Sequence, residues 1–265
     1  MTGLTEDQIE RYARHIVLQE VGGTGQTKLL GAKVLVVGAG GLGSPLLMYL
    51  AAAGIGTIGL VDDDIVSLSN LQRQIAHGTP DIGRPKVESG RDRAAELNPD
   101  VNLVPYQMRL NPGNVMDLLA DYDIIADGSD NFDTRFLLND ACYLAKKTLV
   151  SAAVLRFDGQ LSTYKAYLGP PNPCYRCIFP EPPPEGAIPS CSQGGVLGAM
   201  AGIMGTMQAT EVLKEVLGLG QSMSGRLLIH DGLAGDVRTM RVKPDANCAL
   251  CGETPSIHDL SAHET

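Results

Sequence analysis

A glycine-rich stretch, Gly38-Ala39-Gly40-Gly41-Leu42-Gly43, separates the apolar run Val34-Leu35-Val36-Val37 from a helical pattern, and Asp62 closes the next apolar run. Such glycines permit a tight turn, let the backbone approach a phosphate and let helix and strand pack closely. The helix start then offers unpaired N–H groups to an anion. Asp62 is placed to accept hydrogen bonds from ribose hydroxyls. A nicotinamide dinucleotide site uses the same pattern, and many strand–helix turns carry glycines for packing alone. The loop that follows favours a different ligand. From Asp62-Asp63-Asp64 to Ser69-Asn70-Leu71-Gln72-Arg73-Gln74 it supplies acids, amides and one arginine. Lys86 stands near the start of a later helix, where its charge opposes the helix dipole unless an anion is present. A triphosphate needs such groups, because its charge must be neutralised by Arg, Lys and a metal. Asp130, in Gly128-Ser129-Asp130-Asn131, lies just beyond another strand, at the edge where such sheets bind ligands. Its carboxylate suits magnesium, and the alternative is a cap for the helix that follows. Read singly, each of these polar residues also fits a solvated surface, Lys86 included, and Asp133 and Arg135 read as helix-surface charges.

The cysteines carry a second chemistry. Cys174-Tyr175-Arg176-Cys177 and Cys248-Ala249-Leu250-Cys251 are C-x-x-C pairs far apart in the chain. Each pair can chelate one edge of a metal, and four thiolates close a tetrahedral zinc site with no open position. Redox dithiols are the alternative. Cys142 falls in an apolar helical pattern and reads as core. Cys191 precedes a helix, where a thiol is readily ionised. A nucleophile, a persulfide carrier and an inert loop thiol are all open readings for it.

Positioning these groups is the task of an alternating pattern. Strands are expected at Lys33–Val37, Thr57–Val61, Val101–Tyr106, Tyr122–Ala126 and Thr148–Ala153. Helices are expected at Gly43–Ala53, Pro85–Leu97, Val115–Leu119 and Asn131–Ala145. Short apolar strands between helices imply an α/β fold with a mostly parallel, Rossmann-like sheet covered on both faces. Ahead of it, a capping box at Thr5-Glu6-Asp7-Gln8 opens a helix with Ile9, Tyr12, Ala13, Ile16 and Val17 on one face, broken by Gly22-Gly23-Thr24-Gly25. Behind it, Gly159–Tyr167 alternates like an antiparallel strand. Pro170–Pro189 is an irregular loop holding half of the sixteen prolines. A helix rich in small residues is expected over Gly194–Leu217, then strands at Arg226–His230 and Val237–Val242, and a loosely ordered tail.

Composition narrows the function. The 265 residues carry a net charge of −9 and no long basic stretch, which speaks against a nucleic-acid groove. No apolar run reaches membrane-spanning length and no signal pattern opens the chain. The cytoplasm is the expected compartment, with its thiols reduced.

The ordered set of motifs resembles the bacterial activating enzymes of ubiquitin-like sulfur carriers, the MoeB/ThiF/HesA group, over nearly the whole chain. To those above it adds Arg11-Tyr12-Ala13-Arg14-His15, Gly25-Gln26-Thr27-Lys28-Leu29 and Gly83-Arg84-Pro85-Lys86. The resemblance implies a single adenylation domain over 1–265. Within it, 1–30 is a helical arm, 31–155 the nucleotide core, 156–251 the carrier-binding and zinc-bound part, and 252–265 a tail. It implies adenylation, with ATP and magnesium, of the C-terminal Gly-Gly carboxylate of a small β-grasp sulfur carrier. Thiocarboxylate formation follows, most closely in molybdopterin synthesis, with the thiamine-pathway carrier or another as alternatives. The nucleotide contacts it implies are Gly38, Gly40, Gly41, Gly43, Asp62, Ser69, Asn70, Leu71, Gln72, Arg73, Lys86, Asp130 and Asn131. Asp130 would hold magnesium. Arg14 looks like the arginine that such homodimers insert into the neighbouring subunit's phosphate site. Since no rhodanese extension is seen, sulfur is expected from a separate cysteine desulfurase or rhodanese. The five histidines have no part in this chemistry. Two readings from other classes compete: a nicotinamide-dependent oxidoreductase, and a non-catalytic zinc-stabilised carrier-binding protein.

Overall fold

A computed structural model describes residues 3–184, 186–187 and 191–264, with the backbone alone of Cys191 and Ser192. In chain order the helices and strands are α1 (Glu6–Arg11), α2 (Ala13–Ile16), α3 (Gly22–Gly31), β1 (Lys33–Val37), α4 (Gly43–Ala53), β2 (Thr57–Val61), α5 (Lys86–Leu97), β3 (Asn102–Tyr106), α6 (Val115–Ala120), β4 (Ile124–Asp127), α7 (Phe132–Leu144), β5 (Thr148–Leu155), β6 (Asp158–Tyr164), α8 (Cys191–Gly194), α9 (Gly198–Leu217), β7 (Arg226–Asp231) and β8 (Asp236–Arg241). All eight strands share one sheet, ordered β3-β2-β1-β4-β5-β6-β7-β8. Pairing is parallel from β3 to β5 and antiparallel from β5 to β8.

The expected strands form because their apolar side chains alternate between two buried layers. Val34, Val36, Ile58 and Leu60 pack with Leu46, Leu47, Leu50, Val87 and Met204 on one face. Leu35, Val37, Val61 and Ile125 pack with Leu119, Phe136 and Leu138 on the other. Small residues in α9 bring that helix close, as its composition predicts. A side chain at Gly205 would strike the Leu42 carbonyl, and one at Gly198 the Gln72 carbonyl. Among the described residues no helix is long and apolar enough to cross a membrane.

The chain order turns back at β1, which pairs β2 on one side and β4 on the other. In open parallel sheets the crevice at the carboxyl ends of such strands is where ligands bind. Here the two turns that leave β1 and β4 touch. Gly128 N–H donates to the Val37 carbonyl at 2.9 Å, and Gly38 N–H to the Val61 carbonyl at 2.8 Å. The glycine turn and the Gly128–Asn131 segment thus share one crevice.

Several expectations about the periphery fail. The capping box at Thr5 and Gln8 is present. The helix it opens breaks at Tyr12, however, and its apolar face is only partly covered: Tyr12 is buried and Ala13 and Ile16 half-buried, but Ile9 is 47% and Val17 71% exposed. Only the Tyr12 ring inserts, against Gly54, with its hydroxyl accepting from Asn98 Nδ2 at 2.9 Å. Gly22–Gly25 begins α3 instead of breaking a helix, because Gly25 lets that turn press against Val21 and Leu217. The helix expected from Gly194 starts at Gly198. The tail is docked, not loose. Leu260 is buried in the second core layer, and His263 Nε2 lies 2.8 Å from the buried Asp140 carboxylate. Leu260→Ala should therefore cost about 2 kcal/mol or more of stability, as read by urea unfolding. A cost near zero would mean that the tail does not contribute to the core.

Candidate functional site

The glycine turn is shaped by contacts that exclude side chains. Gly38 has φ +94°, a left-handed conformation that favours glycine, and a Cβ there would press on the Gly128 carbonyl. At Gly43 a side chain would run into the Gly38 carbonyl oxygen. Two polar groups hold the turn from below. Asp62 Oδ2 accepts from Ala39 N–H at 2.7 Å, and its Oδ1 accepts from Asp64 N–H at 2.9 Å. His77 Nε2 lies 2.9 Å from the Ala39 carbonyl. Burial raises the Asp62 carboxyl above the usual carboxylate range, against the opposing charge of Lys86. Asp62 therefore ties the glycine turn to the end of β2, a contact the sequence reading did not foresee, and each of its oxygens already accepts one backbone bond. Ribose hydroxyls would use the remaining lone pairs.

The loop after Asp62 folds over this turn. The Asn70 side chain accepts from Ser67 N–H at 3.1 Å, closing a short helical turn over Leu68–Asn70. Arg73 donates to the Ser69 carbonyl at 3.1 Å. Its aliphatic stem lies beside Gly41, where a Cβ would be in ordinary contact, 3.5 Å from Arg73 Cγ and Cδ. Leu71 is half-buried, whereas Ser69 and Gln72 are exposed. Lys86 is not a surface lysine. Its side chain is 6% exposed, and Nζ reaches Asp64 Oδ2 at 2.9 Å. Asp64 itself is largely in water.

On the other side of the crevice, Asp130 is exposed and free of the capping task. Asn131 caps α7, accepting from Thr134 N–H at 2.8 Å. The turn that carries Asp130 is fixed from beneath. Buried Asp127 accepts from Ser129 N–H, Ser129 Oγ and Ser151 Oγ at 2.6–2.9 Å. Arg135, expected on the helix surface, is instead buried and donates to the Ser129 carbonyl.

The four cysteines form a separate centre on the far part of the chain. Their sulfurs all lie within 4.8 Å of one another. Cys174 Sγ is 3.8 Å from Cys177, 3.5 Å from Cys248 and 3.4 Å from Cys251, and Cys177 is 3.4 Å from Cys251. A disulfide would bring two sulfurs to about 2 Å. A tetrahedral metal with bonds of about 2.3 Å to sulfur needs separations of just under 4 Å. The donor set and its spacing thus fit a tetrathiolate metal. The centre docks on α7: Tyr175 N–H donates to Asn139 Oδ1 at 2.7 Å, and Arg176 makes a paired bond to Asp140 at 2.7–2.8 Å. Cys142 is buried, as expected of a core residue, and burial pushes its thiol pKa up.

Known proteins resemble this arrangement along its whole length. The sequence model of the ThiF family matches residues 12–250. The chain belongs to the ThiF family. It is 52% identical to an "Adenylyltransferase and sulfurtransferase MOCS3" of Bos taurus, over 99% of this chain and 57% of that protein. It is 44% identical to a "Sulfur carrier protein adenylyltransferase" of Thermus thermophilus, over 98% and 97%. A "SAMP-activating enzyme E1" of Haloferax volcanii is 45% identical, over 99% and 96%. The chain thus spans little more than half of the MOCS3 relatives and nearly all of the other two. Among solved structures, E. coli MccB with ATP has the same fold, with a TM-score of 0.76 at 20% identity, covering 95% of this chain and 75% of that one.

In this ThiF-family chain the structure gathers most of the expected site residues at one crevice. Gly38, Gly40, Gly41 and Gly43 form the turn, Asp62 and Arg73 meet it, and Lys86 lies near Asp62; Asn70 bonds within the adjoining loop, and Asp130 and Asn131 stand on the turn after β4. Arg14 is not among them. It is exposed, two residues beyond Tyr12, which packs at the carboxyl end of α4. The glycine turn is at the amino end of that helix, about 16 Å away for 11 residues. Cys191 begins α8, and its side chain lies outside the described residues. Three residues beneath the site escaped the sequence reading. Asp127 had a signal, an acid ending the apolar run Ile124-Ile125-Ala126. Arg135 and His77 had none, since only packing buries them. For the cysteine centre, metal analysis should find about one divalent ion per chain. Cys248→Ser should lower that content and the melting temperature together; metal-free protein with unchanged melting would argue against the centre.

Proposed function

We propose that this chain is an ATP-dependent adenylyltransferase acting on a small ubiquitin-like sulfur carrier. The observation that supports it most is the pair of cations around the glycine turn: Lys86, buried beside Asp62 and Asp64, and Arg73, whose stem lies beside Gly41. The printed names of the Thermus and Haloferax relatives agree with that reading. A nicotinamide site offers no reason to keep an ammonium group out of water beside the phosphate turn.

The chemistry is then adenylyl transfer to a carboxylate. A carboxylate oxygen of the carrier's terminal glycine attacks the α-phosphorus of ATP. The bond from that phosphorus to the bridging oxygen breaks, and pyrophosphate leaves with the electron pair. The product is a carrier acyl-adenylate. No proton has to move, because the nucleophile is already ionised. The protein's work is alignment and charge stabilisation. The turn's N–H groups and the amino end of α4 face the phosphates. Arg73 and Lys86 neutralise the charge that builds on the leaving pyrophosphate, and Asp62 orients the ribose. Asp130, exposed on the turn after β4, would hold the magnesium, which would supply positive charge to the phosphates. Ser69, Leu71 and Gln72 shape the wall of the nucleotide site, and Asn131 holds the Asp130 turn.

The remaining expectations follow as parts of the same proposal. The protein works as a homodimer, with Arg14 completing the partner's phosphate site. Its position far from its own glycine turn supports that assignment. The four-cysteine centre holds structural zinc, since four thiolates leave no position open for substrate. Sulfur comes from a separate donor, a cysteine desulfurase or rhodanese, and the setting is the cytoplasm. The carrier we favour is that of molybdopterin synthesis.

Carrier-dependent exchange of pyrophosphate into ATP tests the chemistry, and a panel of purified carriers identifies the partner. Asp130→Ala should reduce exchange by at least a hundredfold, roughly 3 kcal/mol of lost stabilisation. Near-normal exchange would remove Asp130 from the site. Mixing Arg14→Ala with Asp130→Ala subunits should restore part of the activity through one intact composite site per dimer. Confirmed mixed dimers with no recovery would defeat the shared-site assignment.

A further inference from the structure

Buried His77 takes no part in the chemistry proposed above, yet it stands where the phosphate-binding elements meet. Its backbone N–H donates to the Gln74 carbonyl at 3.1 Å, tying it to the Arg73 loop. One ring nitrogen, Nδ1, is 2.9 Å from Ser89 Oγ, about one turn along α5 from Lys86. The other, Nε2, is 2.9 Å from the Ala39 carbonyl in the glycine turn. A carbonyl only accepts, so Nε2 carries a hydrogen and donates it. In the neutral ring, Nδ1 then accepts from the Ser89 hydroxyl.

The consequence lies in the peptide unit that His77 grips. In a trans peptide the C=O and N–H point in opposite directions. The Ala39 carbonyl points down to the ring, so the N–H of Gly40, in the same unit, points away from it. That N–H has no acceptor among the described residues. The Ala39 N–H on the preceding unit is held by Asp62. Both units around Ala39 are therefore pinned from the protein side. We infer that His77 is a positioning residue of the nucleotide site: it holds the Ala39 carbonyl inward and so presents the Gly40 N–H to a nucleotide phosphate. This rests on the ATP reading of the crevice.

The surroundings keep the ring in one state. Burial, together with the charge of Lys86 on α5, lowers the ring's pKa, while the bond to the Ala39 carbonyl and the charges of Asp81 and Asp62 pull the other way. Arg84 engages Asp81 at 2.7 Å and tempers its charge. Of the two neutral tautomers, the one with hydrogen on Nε2 satisfies both contacts. If the ring gained a proton, Nδ1 would donate to Ser89, whose hydroxyl hydrogen would turn to Asp81, a partner already in contact. The Ala39 bond survives in either case, so the turn stays set across the physiological pH range.

Calorimetric ATP binding to the full chain, with His77→Phe and His77→Gln, tests this. Phe fills the ring's space without a donor, whereas the Gln amide retains one for Ala39. His77→Phe should weaken ATP binding about tenfold with the KM for the carrier unchanged, and His77→Gln should recover most of the loss. Nitrogen NMR of the wild-type ring should show hydrogen on Nε2 and none on Nδ1 at neutral pH. ATP affinity of His77→Phe equal to wild type, no recovery with His77→Gln, or hydrogen on Nδ1 alone would each overturn the inference. If His77→Phe fails to fold, Ser89→Ala replaces it. That variant removes the hydrogen that selects the tautomer and should weaken ATP binding about threefold, and unchanged affinity would again overturn the inference. Wild-type protein that binds no ATP would overturn the adenylation reading itself, a result distinct from all of these.

Discussion

Lys86 carries its charge out of water. Its ammonium sits at the first position of α5, at the end where the helix dipole is positive, and its ion-pair partner Asp64 is 70% exposed. Removing a charge from water is costly unless it is paired and hydrogen-bonded, and a cation at a helix start gains nothing from the dipole. One solvated carboxylate offsets little of that cost. On the proposed reading, a phosphate in the crevice would offset more, because it would meet Lys86, Arg73 and the N–H groups of the glycine turn at once. The side-chain-free glycines, the loop beside them and the buried polar groups beneath together shape that crevice.

The rest of the molecule supports the two walls of the crevice. One wall is the glycine turn with α4, gripped by Asp62 and His77 and backed by α9, whose small residues admit the Leu42 and Gln72 carbonyls. The other is the turn carrying Asp130, set by buried Asp127 and by Arg135. Gln208 of α9 joins the walls by donating to the Asp127 and Val150 carbonyls at 2.7 and 3.0 Å. Helix α7 then carries the second wall to the cysteine centre. It begins beside Asp130 and, two turns later, offers Asn139 and Asp140 to the segment between Cys174 and Cys177. The docked tail closes this region through His263 and Leu260. Burial alone would raise the Asp140 carboxyl, but hydrogen bonds from His263 and Arg176 outweigh it and hold the group below the usual carboxylate range.

Local pattern alone was enough to identify the parallel strands, the glycine turn, the paired cysteines and the order of the motifs. Those features depend on short stretches: a period of two in strands, a glycine where no Cβ fits, two thiols at a chelating spacing. The resemblance to the ThiF family was legible for the same reason, since it rests on ordered motifs that need no coordinates. What the chain could not disclose was burial. Arg135 looked like a surface charge, His77 looked incidental, and the burial of Lys86, picked out only as an anion contact, was hidden until residues distant in sequence closed over them. Tertiary structure also decided that Asn131, not Asp130, caps α7, which leaves the carboxylate uncommitted. It placed Arg14 at the far end of α4 and seated the tail in the core. Each of these depends on which surfaces meet after the sheet is assembled, and the desolvation and hydrogen bonding that result have no counterpart in the order of residues.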